Sequence, residues 1–187
     1  MTAMDKALDW AYGKAFDQVT GMLVSSKDQA SMVRWECAKA GTVGFASGVG
    51  GLTTLPLTLP AELASLLALQ LRLVAAIAVS HGHDLRSEKV RTAAYICLLG
   101  NSAREVAHEA GVQLGKAMTL KAIGAISAET IKAINKAVGF RLLTKFGQTG
   151  TLRLGRLVPV VGGVLGGTVD YVSTRTVARV ANKMFGS

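Results

Sequence analysis

Residues 40–83 read AGTVGFASGVGGLTTLPLTLPAELASLLALQLRLVAAIAVSHGH, 44 positions with only two formal charges, Glu62 and Arg72. A block this apolar must be buried in protein, laid against lipid, or both. Its first half, Ala40 to Ala61, is uncharged but punctuated by Gly41, Gly44, Gly48, Gly50, Gly51, Pro56 and Pro60. Glycine weakens a helix and proline withholds a donor, so Gly44 to Pro60 is expected to be irregular or to hold a broken helix. The second half, Glu62 to Ser80, has the make-up of one apolar helix. Pro60 suits its first turn, and Glu62 meets the positive end of the helix dipole there. Ala64, Ala68 and Ala76 share an i+4 ridge that lets a second helix approach closely; Arg72 interrupts it. A buried guanidinium needs a partner, so Arg72 is expected to be paired internally or to reach the end of a groove.

Outward from this block the chain is helical throughout. Leu8, Tyr12, Ala15, Phe16, Val19, Met22 and Leu23 recur on one face and predict an amphipathic helix from Ala3 to Leu23. Ser26-Lys27-Asp28-Gln29 has the form of a capping box, and the helix it opens should fade after Ala40. The run His81-Gly82-His83-Asp84 ends the central helix. Ser87 caps the next one, which runs to Leu99 before Gly100-Asn101. Ser102-Ala103-Arg104-Glu105 starts a helix toward Leu120, in which Ala107, Gly111 and Gly115 form a close-packing face. Ser127 and Glu129 start another toward Phe146. A second glycine-rich stretch, 147–167, carries Pro159, and a last helix spans Gly166 to Met184 with Val169, Val177, Val180 and Met184 facing inward. No period-two alternation is present, so the fold class is all-α: a compact bundle of about six or seven helices with two Gly/Pro-rich irregular segments. The two segments echo each other weakly, each followed by an acid (Glu62, Asp170) and a base (Arg72, Arg175).

At 187 residues the chain fits one domain. Half of it is apolar and 5% aromatic, a composition of closely approaching helices. The net charge of +9 sits mostly in the last third, where nine bases face two acids. Lys132, Lys136, Arg141, Lys145, Arg153, Arg156, Arg175, Arg179 and Lys183 are therefore the candidates for contact with a membrane surface or another anion. Nucleic acid is disfavoured, since Phe140 and Phe146 read as core positions rather than stacking platforms. Cys37 and Cys97 lack any metal or redox spacing and read as small buried hydrophobes. Met1 to Met22 contains five charges and no secretory pattern, which predicts a cytoplasmic address. Leu63 to Ser80 includes Gln70 and Arg72, so peripheral attachment is favoured over a membrane crossing.

The motifs of chemistry are thin. His81, His83 and Asp84 are a metal-like cluster, the one place for a divalent ion, although histidines meeting terminal carbonyls explain the same residues. Gly44-Phe45-Ala46-Ser47-Gly48 lacks nucleophile-elbow spacing, and Gly111 to Ala117 is a phosphate loop one residue short with Ala117 in the hydroxyl position. No catalytic residue is assigned. Glu62, Gln70, Arg72, Arg91, Asp170 and Arg175 are polar residues in apolar surroundings and predict a network across helices, either fixing register or forming the polar floor of a lipid-sized groove. The pairs Gly162/Gly166 and Gly163/Gly167 would be packing points beside it.

The stretch Leu55-Pro56-Leu57-Thr58-Leu59-Pro60-Ala61-Glu62-Leu63, continuing through Gln70-Leu71-Arg72-Leu73 to Gly82-His83-Asp84, resembles the EcsC protein family. So does the C-terminal run with Gly139-Phe140-Arg141-Leu142-Leu143, Lys145-Phe146-Gly147, Val158-Pro159-Val160-Val161-Gly162-Gly163, Asp170 and Ser173-Thr174-Arg175. The similarity covers about residues 30–185 and implies a single helical domain over 1–187, with 1–25 an added amphipathic helix and 26–187 the family-like core. It implies a bacterial protein and, through the family's naming component, proximity to an ABC transporter; it supplies no catalytic residues. Three functions are then open. The preferred one is a non-enzymatic protein at the inner-membrane surface or around an apolar ligand. The others are an interaction subunit docking a membrane transporter, and a metal-dependent hydrolase using His81, His83 and Asp84.

Overall fold

A computed structural model describes residues 3–19, 29–49, 55–109, 127–152 and 159–186. Seven α-helices occupy them: α1 Ala3–Val19, α2 Gln29–Val49, α3 Leu55–Ser80, α4 Glu88–Leu98, α5 Ala103–Glu109, α6 Ala128–Leu152 and α7 Pro159–Phe185, with a 3₁₀ turn at Gly100–Ser102. No strand occurs among the described residues, so the chain is all-α.

Helix α3 is the axis of the molecule. Leu71 and every residue from Leu73 to Ala78 are buried. A helix apolar on all sides must be enclosed on all sides, and α1, α2, α4 and α7 surround it. Helix α1 contributes the expected face, with Leu8, Ala11, Tyr12, Ala15 and Val19 buried; Met22 and Leu23 lie outside the described residues. Helix α6 buries the stripe Ile131, Ile134, Val138 and Leu142. Its first turn is capped by Ser127, whose Oγ accepts from the Thr130 amide at 3.3 Å. Helix α4 begins after Ser87 as expected, yet the Ser87 side chain makes no cap bond. Helix α5 starts at Ala103 as the capping box predicts; Gly111 and Gly115 lie outside the described residues.

The ends of α3 follow their local chemistry. Gly82, at φ +79°, closes the helix: its amide donates to Val79 O at 2.9 Å and the His83 amide to Ala78 O at 3.0 Å. This is the crossed pair of bonds with which a left-handed glycine stops a helix. At the other end the expectation fails. Helix α3 begins at Leu55, with Pro56 in its first turn and Pro60 a turn further in.

Both segments expected to be irregular are largely helical. Helix α2 runs on through Gly41, Gly44 and Gly48 to Val49, and α7 begins at Pro159, carrying Gly162, Gly163, Gly166 and Gly167 inside it. The cause is contact between these two helices. A Cβ on Gly167 would stand 2.7 Å from the Gly41 carbonyl oxygen and 3.3 Å from Phe45 Cβ. Glycine costs about 1 kcal/mol in a helix interior relative to alanine, but here it lets two backbones touch, and packing offsets the propensity. Helix α6 likewise passes through Gly147 and Gly150 to Leu152. Proline at the first position of α7 forfeits no hydrogen bond.

The pairings fix the directions. Gln29 of α2 meets Asn182 of α7 while Gly41 meets Gly167, so α2 and α7 run antiparallel. Gln70 of α3 meets Thr174 of α7, and His83, just past α3, meets Phe185; the sequence offsets are 104 and 102. So α3 and α7 run parallel and level, and both start at the end of the molecule where α2 finishes. The uncharged runs 40–49, 55–61 and 159–169 thus gather at one pole.

Candidate functional site

The pole and the seam between α2 and α7 carry the surface of interest. On α2, Val43 and Phe45 are exposed; on α7, Val164, Val169 and Val172 are each more than half exposed. Val169 was expected to face inward, and Val177 and Met184 of the same helix do. Eight residues advance a helix by slightly more than two turns, and that drift carries Val169 out of the core-facing stripe. No acidic or basic residue occurs at the pole in any of the three helix ends.

Where charge begins, it is tied across helices. Arg72 of α3 pairs with Glu36 of α2, and Lys39 reaches the same Glu36 oxygen at 3.4 Å. The Glu36 side chain is 5% exposed and that of Arg72 25%. Its second oxygen has no hydrogen-bond partner among the described residues. Lys39 also lies over the exposed Trp35 ring, 5.2 Å from its centre. Gln70, fully buried, donates to Thr174 Oγ1 at 3.2 Å and to Ser173 Oγ at 3.4 Å. Gln70 and Arg72 each bond across helices, in separate contacts, and the acid that meets Arg72 is Glu36, which sequence reasoning passed over. The one signal was an acid directly before Cys37, on the helix that precedes the apolar block.

Two other members of the predicted network, Glu62 and Arg91, are elsewhere. Glu62 sits near the start of α3, ten residues before Arg72 and so about 15 Å along the axis; its side chain is outside the described set. Arg91 belongs to α4 and acts on the Tyr12 and Tyr95 hydroxyls. Asp170 follows the uncharged start of α7. Nor does a groove separate the glycine segments where Gly41 and Gly167 touch, and Gly166 is buried. Gln70 and Thr174 close the seam rather than flooring a cleft.

Of the anion-binding candidates, Arg175, Arg179 and Lys183 form an exposed i+4 stripe on α7, and Lys132 and Lys136 are exposed on α6. Arg141 is engaged with Glu109 at 2.7 Å on the surface, a pair worth at most about 1 kcal/mol. Lys145 lies on α6 with its side chain outside the described set, as do Arg153 and Arg156 altogether. Phe140 is a correction: at 66% exposed it is no core residue, because α6 buries its Ile131–Leu142 stripe and Phe140 falls on the far side.

His81, His83 and Asp84 do not converge. His83 Nε2 lies 2.8 Å from the Phe185 carbonyl at the end of α7, with the two rings 5.4 Å apart. Asp84 Oδ1 accepts from the Arg86 amide at 2.9 Å, and His81 is exposed. Among the described residues no three His, Cys, Asp or Glu side chains are placed to hold a metal ion. The thiols and phenols with displaced acidity are displaced by burial. Burial pushes the Cys37 thiol up against the opposing charge of Arg175, and pushes the enclosed Cys97 thiol up strongly. Tyr12 is raised to about 12 by burial, and Tyr95 further by burial and its bond to Asp9. A raised thiol is a poorer nucleophile at neutral pH, so neither cysteine is poised for attack.

The chain belongs to the EcsC protein family: residues 17–186 match it. The match begins at the end of α1 and takes in every later helix. No curated protein and no solved structure matches the chain.

Proposed function

We propose that this EcsC-family chain attaches peripherally to an anionic membrane surface, its uncharged pole in the interfacial layer and its basic residues toward the headgroups. The observation that carries this reading is the set of exposed side chains Val43, Phe45, Val164 and Val169, on helix ends without a single charge, with exposed Val172 just past Asp170. Magnitudes decide the mode. Fully burying one such side chain is worth about 1.5–3 kcal/mol, and these five are roughly half exposed, so the pole supplies about 4–7 kcal/mol. That is near the marginal attachment given by one acyl chain. Each base near an anionic surface adds about 1 kcal/mol, and Arg175, Arg179 and Lys183 follow the apolar face of α7 directly. Among the described residues no helix is long and apolar enough to cross a membrane, which favours lying on the bilayer over spanning it.

Co-sedimentation tests this. Recovery on phosphatidylglycerol-containing vesicles should exceed recovery on phosphatidylcholine alone, and Phe45→Ser should lower both while leaving the melting temperature unchanged. Equal, negligible recovery on the two vesicle types would sink the proposal. Docking onto a membrane transporter, the alternative, would use the same face and would show as association with native membranes that lipid vesicles fail to reproduce.

A further inference from the structure

We infer that the depression between α2 and α7 binds a phosphate group, held between Arg34 of α2 and Arg175 of α7. The depression has a volume of about 520 Å³ and is lined by Gln29, Ala30, Val33, Arg34, Cys37, Tyr171, Arg175 and Asn182. Two guanidinium side chains from different helices line it and, among the described residues, no carboxylate does. The nearest acid along α2, Glu36, is turned to the other side, onto Arg72 and Lys39. Arg34 donates to Ser31 Oγ at 3.5 Å, a contact that leaves most of its donor fork available. Arg175 reaches in from the opposite wall, close enough for its charge to act on the Cys37 thiol. One end is closed by the Gln29 amide donating to Asn182 Oδ1 at 2.7 Å, with Asn182 itself fixed by donation to the Ala178 carbonyl at 3.0 Å.

Arginine's planar fork matches phosphate oxygens in pairs, and two forks facing one depression favour a phosphate over a diffuse ion cloud. A second depression of about 510 Å³, at Asn101, Arg104, Glu105, His108 and Glu109, contains two carboxylates and carries no such preference. The depression also lies at a telling height. Arg175 follows Val172 by three residues, about 5 Å along the helix, which is the step from interfacial apolar contact to headgroup phosphate. In its lipid form the inference rests on the membrane reading above; in its soluble form it does not.

The test titrates inorganic phosphate into the full chain and follows the arginine Nε–H resonances by NMR. Saturable shifts are expected, weakened about tenfold by Arg34→Gln or Arg175→Gln and less than about twofold by Lys183→Gln or Arg179→Gln, which remove the same charge outside the depression. A parallel arm uses vesicles containing phosphatidic acid. If free phosphate does not bind but the vesicles separate Arg175→Gln from Lys183→Gln by the same factor, the phosphate is that of a lipid headgroup. Equal losses for all four variants, or no response to either probe, overturn the inference. A chain that binds phosphate but no vesicle overturns the membrane reading alone. All four side chains are exposed, so unchanged melting temperatures will show that the variants fold.

Discussion

Two stretches rich in apolar residues meet opposite fates in this molecule. From Leu71 to Ala78, helix α3 is enclosed on every side but that of Arg72, whereas from Val164 to Val172 helix α7 leaves a row of valines bare. Hydropathy counts composition; burial depends on neighbours. Helix α3 has four helices around it, while α7, among the described residues, is flanked by α2, α3, α4 and the 3₁₀ turn and leaves Val164, Val169 and Val172 exposed. The enclosed stretch is held by side-chain packing and the bare one by backbone contact with α2, so they should respond differently to substitution.

The largest expected effect is at the edge of the enclosed stretch. Arg72→Ala leaves Glu36 buried without its main partner and should destabilise the fold by about 3 kcal/mol, the lower part of the range for buried pairs because Arg72 is partly exposed. Denaturant unfolding reads this, and adding Glu36→Gln should restore part of the loss. No loss from Arg72→Ala would mean that water reaches Glu36 and that the enclosure is incomplete.

Next is the backbone contact. Gly167→Ala gains helix propensity yet must push α2 and α7 apart, for a net loss of about 2 kcal/mol. Gly13→Ala on α1, where an added Cβ meets nothing within 4 Å, should instead stabilise by up to about 1 kcal/mol. Thermal melts of the two variants moving in the same direction would refute the claim that α7 is held by close approach.

The smallest effect belongs to the enclosed side and depends on pH. The Tyr12 hydroxyl donates to the Leu85 carbonyl at 2.8 Å, and burial raises its pKa to about 12. In the unfolded chain it titrates near 10, so above pH 10 the unfolded state gives up the proton first. The stability contributed by the neutral hydroxyl is whole below pH 10 and lost as pH rises to 12. Tyr12→Phe should flatten part of this alkaline decline, at the cost of leaving the Leu85 carbonyl unpaired, about 1 kcal/mol at neutral pH. Parallel declines for wild type and variant would place Tyr12 in water.

Much of this was legible in the residues. Helical periodicity in α1, the stop at Gly82, and the starts of α4, α5 and α6 all follow from local chemistry, which is why they could be read. The glycines could not, because one residue type either breaks a helix or admits a neighbour, and the neighbour that decides for Gly41 is Gly167, far along the chain. Arg72 announced that it needed a partner; its lone charge in an apolar run is a local fact. Which acid answers is a tertiary fact, and Glu36, three residues from Lys39 on its own helix, reads in sequence as half of an ordinary surface pair. His83 was readable as a ligand for a carbonyl, but only the fold says that the carbonyl belongs to Phe185.

The level alignment of α3 and α7 has an electrical consequence. Of the three helices α2, α3 and α7, two begin at the bare end and one finishes there, so among these three, two amino-terminal dipole ends are opposed by a single carboxy-terminal one. At roughly half an elementary charge per helix end, those three ends sum to a weakly positive cap without help from any ionisable side chain of the runs 40–49, 55–61 and 159–169. An anionic interface would be drawn to it at every pH, and added salt would weaken the attraction.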